Sequence, residues 1–462
     1  MFKKSILIFT TVFVLFSDVM IADESIDNDL GGFEMEEFSD EDIVDSTPVK
    51  QEKKSIFSLS GDLAFKTSYG YKNHKVNGIE YSGINQAQTE LYLQLDSKLS
   101  DNWKMRLSVD MFYDGIYDIK HNGKYLDDIE DDYRTQLMID DAYIQGRLSD
   151  NIDIKIGRQI VVWGKSDSIR VTDVINPLDN RHLGMTDIED LRLSVGMIKL
   201  DYYYEDWDFS FINIFESRIM KEATARSEFF PVDSIFAFAP NPFIDLKTPK
   251  NSWDDMQFAM AAKGVFSGWD LSFYGAYVLD QKWHINPKTQ KREVNKIKMI
   301  GSDINIAIGS WLLKSEVAYL SGIKYNSTED DKNRIDTLIG IEYMGITDTV
   351  ISLDVVNRHI FDYEECMNNL VLKPDFVEKN DMQTAIRFTR SFMNDSLNYT
   401  ALLSMFGSSF KNGGFFRTWV DYEVIDDLSV NFGVVDYIGG DKPYMESIKN
   451  NDRVFADITY SF

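Results

Sequence analysis

The chain has 462 residues, with 75 acids against 48 bases and a net charge of −27. Phosphate neutralisation needs a basic stripe, so this composition excludes a nucleic-acid binder. The single cysteine, Cys366, excludes an intrachain disulfide and every multi-cysteine zinc pattern.

Lys3 and Lys4 precede the apolar stretch Ile6–Phe16, and a small-residue site ends at Ala22, so residues 1–22 read as a secretory signal peptide. A signal-anchor is the alternative, because Met20 suits such a cleavage site poorly. Residues 23–55 hold twelve acids and three lysines with little apolar content, which predicts a disordered acidic periplasmic segment. The remainder, residues 56–462, is acidic in its own right.

From residue 56 onward the helical period is scarce and a period of two recurs. Ala87, Thr89, Leu91, Leu93 and Leu95 alternate with Gln88, Glu90, Tyr92, Gln94 and Asp96. Trp103–Tyr113 repeats the pattern, with Lys104, Arg106, Ser108 and Asp110 on its polar side, and so does the end of the chain from Val454 to Phe462. Proline is about 2% of the chain where roughly 5% is usual, as strands require, since proline cannot donate to a ladder.

The connections alternate in length. Short turns are predicted at Ser100–Asn102, Ser149–Asp150, Glu205–Asp206, Ser267–Gly268, Gly309–Ser310, Gly345–Thr347, Asn394–Asp395 and Ile425–Asp427. Longer polar stretches separate these hairpins, the largest at residues 162–191 and 218–253. Eight hairpins plus a first and a last strand predict an all-β, antiparallel, up-and-down barrel of about 18 strands, with 16 as the alternative. An even strand number, short periplasmic turns and long extracellular loops describe a transmembrane barrel of the Gram-negative outer membrane. Trp103, Trp207, Trp269 and Trp311 each follow a short turn, as a membrane girdle would require. The terminal Phe462 resembles the signature that such barrels present to their assembly machinery. Outer-membrane lipid and lipopolysaccharide are the surroundings this fold implies.

A barrel of this size leaves room for an aqueous lumen. Its predicted polar faces carry Glu90, Arg106, Asp110, Lys155, Arg387 and Asp457, charges that would keep the interior wet. The stretch Ile156–Leu193 is denser in special residues than a connection needs. Arg158, Lys165, Arg170, Arg181 and Arg192 face Asp167, Asp173, Asp179, Asp187, Glu189 and Asp190 in sequence. Arginine–carboxylate forks can order so long a loop, and residues 162–191 are expected to fold inward and narrow the pore. A surface loop tied down by salt bridges is the other reading. Calcium binding is a third, though the acid spacing matches no EF-hand loop. No metal site and no cofactor are predicted.

Within that stretch, GRQIVVWGKSDS at residues 157–168, DVINPLDNR at 173–181 and DIEDLRL at 187–193 resemble the family called domain of unknown function 1302. The resemblance implies a porin-like outer-membrane barrel. The resemblance also implies an association with lipid-handling permeases and a periplasmic lipid carrier, and with it a hydrophobic cargo as the alternative to small solutes. A second long loop suits that alternative. It carries Phe229, Phe230, Phe236, Phe238 and Phe243, broken by Pro231, Pro240 and Pro242.

A surface hydrolase or adhesin is the competing class. The five histidines, His74, His121, His182, His284 and His359, all fall in predicted loops, and His182 beside Asp179 and Asp187 is the best candidate for acid–base work. None sits in a catalytic motif with a serine. The sequence therefore predicts a channel for passive or facilitated diffusion, and no enzyme.

Overall fold

The computed structural model describes residues 56–76, 78–120, 125–230, 251, 255–286, 289, 291–368 and 376–462. The predicted signal peptide, the acidic segment, His121, Phe236, Phe238 and Phe243 lie outside the described residues. Among the described residues the alternating segments form eighteen long strands. They are β1 (Phe57–Gly70), β2 (Gly83–Ser100), β3 (Trp103–Asp114), β4 (Thr135–Ser149), β5 (Ile152–Gln159) and β6 (Val195–Tyr204). Next come β7 (Trp207–Ile214), β8 (Gln257–Phe266), β9 (Trp269–Leu279), β10 (Lys296–Ile308), β11 (Trp311–Ile323) and β12 (Lys332–Ile346). The last six are β13 (Thr349–Ile360), β14 (Asn380–Phe392), β15 (Leu397–Phe406), β16 (Gly414–Ile425), β17 (Leu428–Ile438) and β18 (Arg453–Ser461).

Each strand pairs antiparallel with its neighbours in the chain, and β1 pairs with β18, so the sheet closes. Closure leaves no ladder edge unpaired, which is what lets strands stand in lipid. The seal continues to the last residue, where Gly61 and Phe462 exchange N–H···O bonds of 2.8 and 2.9 Å. The count is 18 and not 16, and all eight predicted short turns join strand pairs. Their residues match their backbone, for Gly309, Asn394 and Asp395 have φ of +57°, +55° and +66°.

The alternation is inside out relative to a water-soluble protein. Ile300 and Ile339 are 72% and 68% exposed on the outer face. Asp303 and Glu316 are buried. In β8, Phe258 and Met260 are exposed while Ala259 and Ala261 are buried. An apolar outer belt of this kind meets hydrocarbon in a membrane barrel. Trp103, Trp207, Trp269 and Trp311 are each the first residue of a strand, so all four stand at the short-turn end. Trp269 stacks on Phe266 with centroids 4.4 Å apart, and Trp311 lies 4.4 Å from Tyr343.

The interior is not only the wet lumen predicted from the charges. One apolar cluster joins Val161, Trp163, Ile169, Val171 and Ile175, between β5 and β6, to wall residues that include Ala261, Tyr274, Val278, Met299, Ala318 and Leu338. Small residues such as Ala259, Ala276 and Ala318 make the wall flat enough for the connecting segment to pack against it.

Candidate functional site

The site is built where residues 160–194, the connection between β5 and β6, meet the wall. Its first half is held by one carboxylate. Glu316 on β11, 2% exposed, accepts hydrogen bonds from the backbone N–H groups of Lys165 (2.7 Å), Ser166 (2.9 Å) and Thr172 (3.3 Å) and from the Thr172 hydroxyl (3.0 Å). Four donors on one buried carboxylate supply what a charge removed from water needs. Gly164 is required beside it. Its φ is +88°, and a Cβ there would come within 2.8 Å of the Glu316 carboxylate. The Ser166 hydroxyl donates to Asp354 on β13 at 2.7 Å. Lys165 pairs with Asp270 on β9 at 2.6 Å, and Trp163 stacks on Tyr274 of the same strand at 4.6 Å.

The second half reaches other strands. Asp187 pairs with Arg387 on β14 at 2.9 Å and Arg417 on β16 at 3.0 Å, while Arg417 lies 3.8 Å over the Trp419 ring. The Tyr437 hydroxyl, on β17, donates to the Leu183 carbonyl at 2.7 Å. Arg181 is held by Asp179 at 2.6 Å and donates to Gln136 on β4 at 2.9 Å. Burial would raise the Asp179 pKa, but the Arg181 fork outweighs it and holds the carboxyl below its ordinary range. Asp173 serves Arg170 at 3.1 Å and Arg192 at 2.9 Å.

The structure thus brings most of the predicted charges together but redistributes the partners. Among the described residues only Asp173 and Asp179 pair within the segment, Asp179 as a fork and Asp173 through one oxygen shared by two arginines. Lys165, Asp187 and Asp167, the last 3.4 Å from Lys314, pair with the wall instead. Arg158, on β5, pairs with Glu216 at 2.5 Å, and Arg106 forks with Asp96 at 2.8 Å, away from the connecting segment. Lys155 lies 3.6 Å over the Tyr143 ring. Glu189 and Asp190 sit in the short helix Ile188–Leu191 with no ion-pair partner among the described residues.

Between this segment and the strands β18 and β1–β4 lies a cavity of about 510 Å³. Lys66, Glu90, Asp110, Asp140 and Asp457 line it from the wall, and Asp187, Asp190 and Arg192 from the segment. His182 also lines it, edge-on to Tyr133 and Phe229 at 5.2 and 5.3 Å. Enclosure in the barrel, then the Arg181 and Arg453 guanidiniums, hold its imidazole well below the usual histidine range, so it is neutral. Asp179, its presumed acid–base partner, is engaged by Arg181. Phe229 and Phe230, from the phenylalanine-rich loop, are buried, and Arg453 lies 4.8 Å over the Phe229 ring.

Sequence reading missed Glu316, Arg417 and Trp163 as anchors. A signal existed for each: a carboxylate amid the alternating apolar residues 311–323, an arginine two positions from a tryptophan on one strand face, and a tryptophan inside the densest motif.

The barrel is similar to solved structures of OccAB1 and OccAB4 from Acinetobacter baumannii. The TM-scores are 0.51 and 0.50 at 11% identity, covering 88% of this chain and 95% and 98% of those chains. At that identity the likeness establishes the fold. No curated protein sequence matches the chain. The model of a family described as protein of unknown function DUF1302 matches residues 30–462, which include all eighteen strands and the cavity, so the chain belongs to that family of outer-membrane β-barrels.

Proposed function

We propose that the protein is an outer-membrane channel for passive or facilitated diffusion of small solutes, its lumen narrowed by residues 160–194. One observation carries the reading. The segment makes side-chain contacts with strands from β4 to β17, and the space left beside it is a polar cavity lined by charged side chains. A connection lying outside the wall could not reach the inward faces of Glu316, Asp354 and Arg417 together. Fixed arginines and carboxylates across such a gap give a transverse field, which orders small polar solutes by charge.

Planar-bilayer recording of the purified barrel tests this. Stable ohmic steps are expected, and a correctly folded barrel that never conducts overturns it. Glu316→Ala orphans three backbone N–H groups, each costing about 1–3 kcal/mol. Freed from its wall, the segment should give larger and noisier conductance steps. Unchanged steps would place the narrowing elsewhere.

A further inference from the structure

The cavity is not electrically neutral once its ion pairs are counted off. Arg181, Arg417 and Arg453 are taken by Asp179, Asp187 and Glu228, the last at 2.6 Å, and Arg192 by Asp173. Lys66 is taken by Glu90 at 2.8 Å. Lys120 donates to the Ser82 and Ile84 carbonyls at 2.5 and 3.1 Å. Every cation lining the cavity except Lys120, whose partners are neutral carbonyls, therefore has a carboxylate partner. Asp110, Asp190 and Asp457 line it with no ion-pair partner within 4 Å among the described residues, so the surplus charge is negative.

An independent feature stands beside those carboxylates. Tyr81, Tyr125 and Tyr133 are buried in one cluster with Tyr117 packed on it, and all four line the cavity. Tyr117 and Tyr125 meet edge-on at 4.7 Å. Tyr81 is 6% exposed and its hydroxyl has no hydrogen-bond partner among the described residues. A buried hydroxyl of this kind costs free energy unless something satisfies it, and its residue lines the cavity. Tyrosine faces attract cations through their quadrupoles, and unpaired carboxylates do so through charge.

Resting on the channel reading above, we propose that this cavity is a binding site for amphipathic organic cations, amines or quaternary ammonium compounds with an aromatic or alkyl portion. The ammonium group meets Asp110, Asp190 and Asp457, and the apolar portion meets the tyrosines. A cavity of about 510 Å³ holds such a molecule. Carboxylate solutes of the same size face unpaired like charge and are disfavoured.

Calorimetric titration of the intact barrel in detergent tests the site without requiring conduction. The probes are benzyltrimethylammonium, benzoate and benzyl alcohol. Saturable binding of the cation, with neither of the others competing, is expected. The double variant Asp110→Asn, Asp457→Asn should bind it on the order of tenfold more weakly. Tyr125→Ala should weaken benzyltrimethylammonium more than tetramethylammonium. Benzoate binding as tightly as the cation, or a double variant with unchanged affinity while its gel mobility shows it folded, overturns the proposal. Bilayer recording of the same preparations separates the two readings. Conduction without cation binding removes the site and leaves the channel, whereas cation binding without conduction keeps the site and removes the channel.

Discussion

Asp190 shows what one residue adds to the cavity's charge. It is exposed to the cavity in the short helix Ile188–Leu191, and enclosure by the barrel, then Glu189 and Asp187, raise its pKa; Arg417 and Lys66 pull the other way and do not prevail. A raised carboxyl takes up its proton earlier as pH falls. Negative charge in the cavity should therefore begin to decline at a higher pH than an ordinary carboxylate would give, and affinity for an organic cation with it. In Asp190→Asn that part of the pH dependence should flatten, as titrations at several pH values would measure; an unchanged profile assigns it elsewhere. Residue types at this site were legible from sequence, and several partners were not. Arg158 to Arg192 alternate with acids closely enough to suggest local forks, but Asp187 finds Arg387 and Arg417 on β14 and β16. Only the curvature of a closed wall brings those positions together, and no local spacing encodes it.

At the scale of the element, the hairpins were the most legible part. Period-two alternation and turn chemistry are local, so each of the eight short turns could be located from a few residues. Tryptophan placement is local too, and it leads to a measurement. In single-tryptophan variants reconstituted with lipids brominated near the headgroup, Trp269 and Trp311 should be quenched. Trp163, buried and stacked on Tyr274, should not be. Equal quenching of all three would contradict the girdle. Connections were less legible because their structure is borrowed from elsewhere. The short helix Asp127–Tyr133 carries few signals of its own, and its buried Ile129 and Tyr133 gain their environment from Val76, Ile79 and Tyr81 of a separate loop.

For the whole molecule, the interior divides into a dry part and a wet part. Apolar side chains of residues 160–194 join a cluster that runs along the wall from β6 to β18, and the cavity occupies the side nearer β18 and β1–β4. Stability and selectivity should therefore be separable. Trp163→Ala removes a fully packed indole, a change that costs about 3–5 kcal/mol in typical cores. It should lower the temperature at which the barrel loses its folded gel mobility. Asp457→Asn, in the cavity, should leave that temperature nearly unchanged while altering reversal potentials in a salt gradient. Equal effects from both substitutions would show that the two regions are one. Because the dry region arises from small wall residues scattered over many strands, composition and alternation alone pointed only to a polar interior.

The anchoring of residues 160–194 also has a consequence in time. Lys165 N–H meets Glu316 across 151 positions of sequence, Ser166 meets Asp354 across 188, Asp187 meets Arg387 across 200, and Leu183 meets Tyr437 across 254. Apart from Gln136 on β4, these attachment points become available only as the later strands are laid down, and the last of them belongs to the penultimate strand. Loop closure over such spans is slow, and only the pairs that Asp173 and Asp179 make within the segment reward it beforehand. The segment must therefore wait, unseated, until the wall around it is nearly complete, so that filling and vessel are finished in the same final step of assembly.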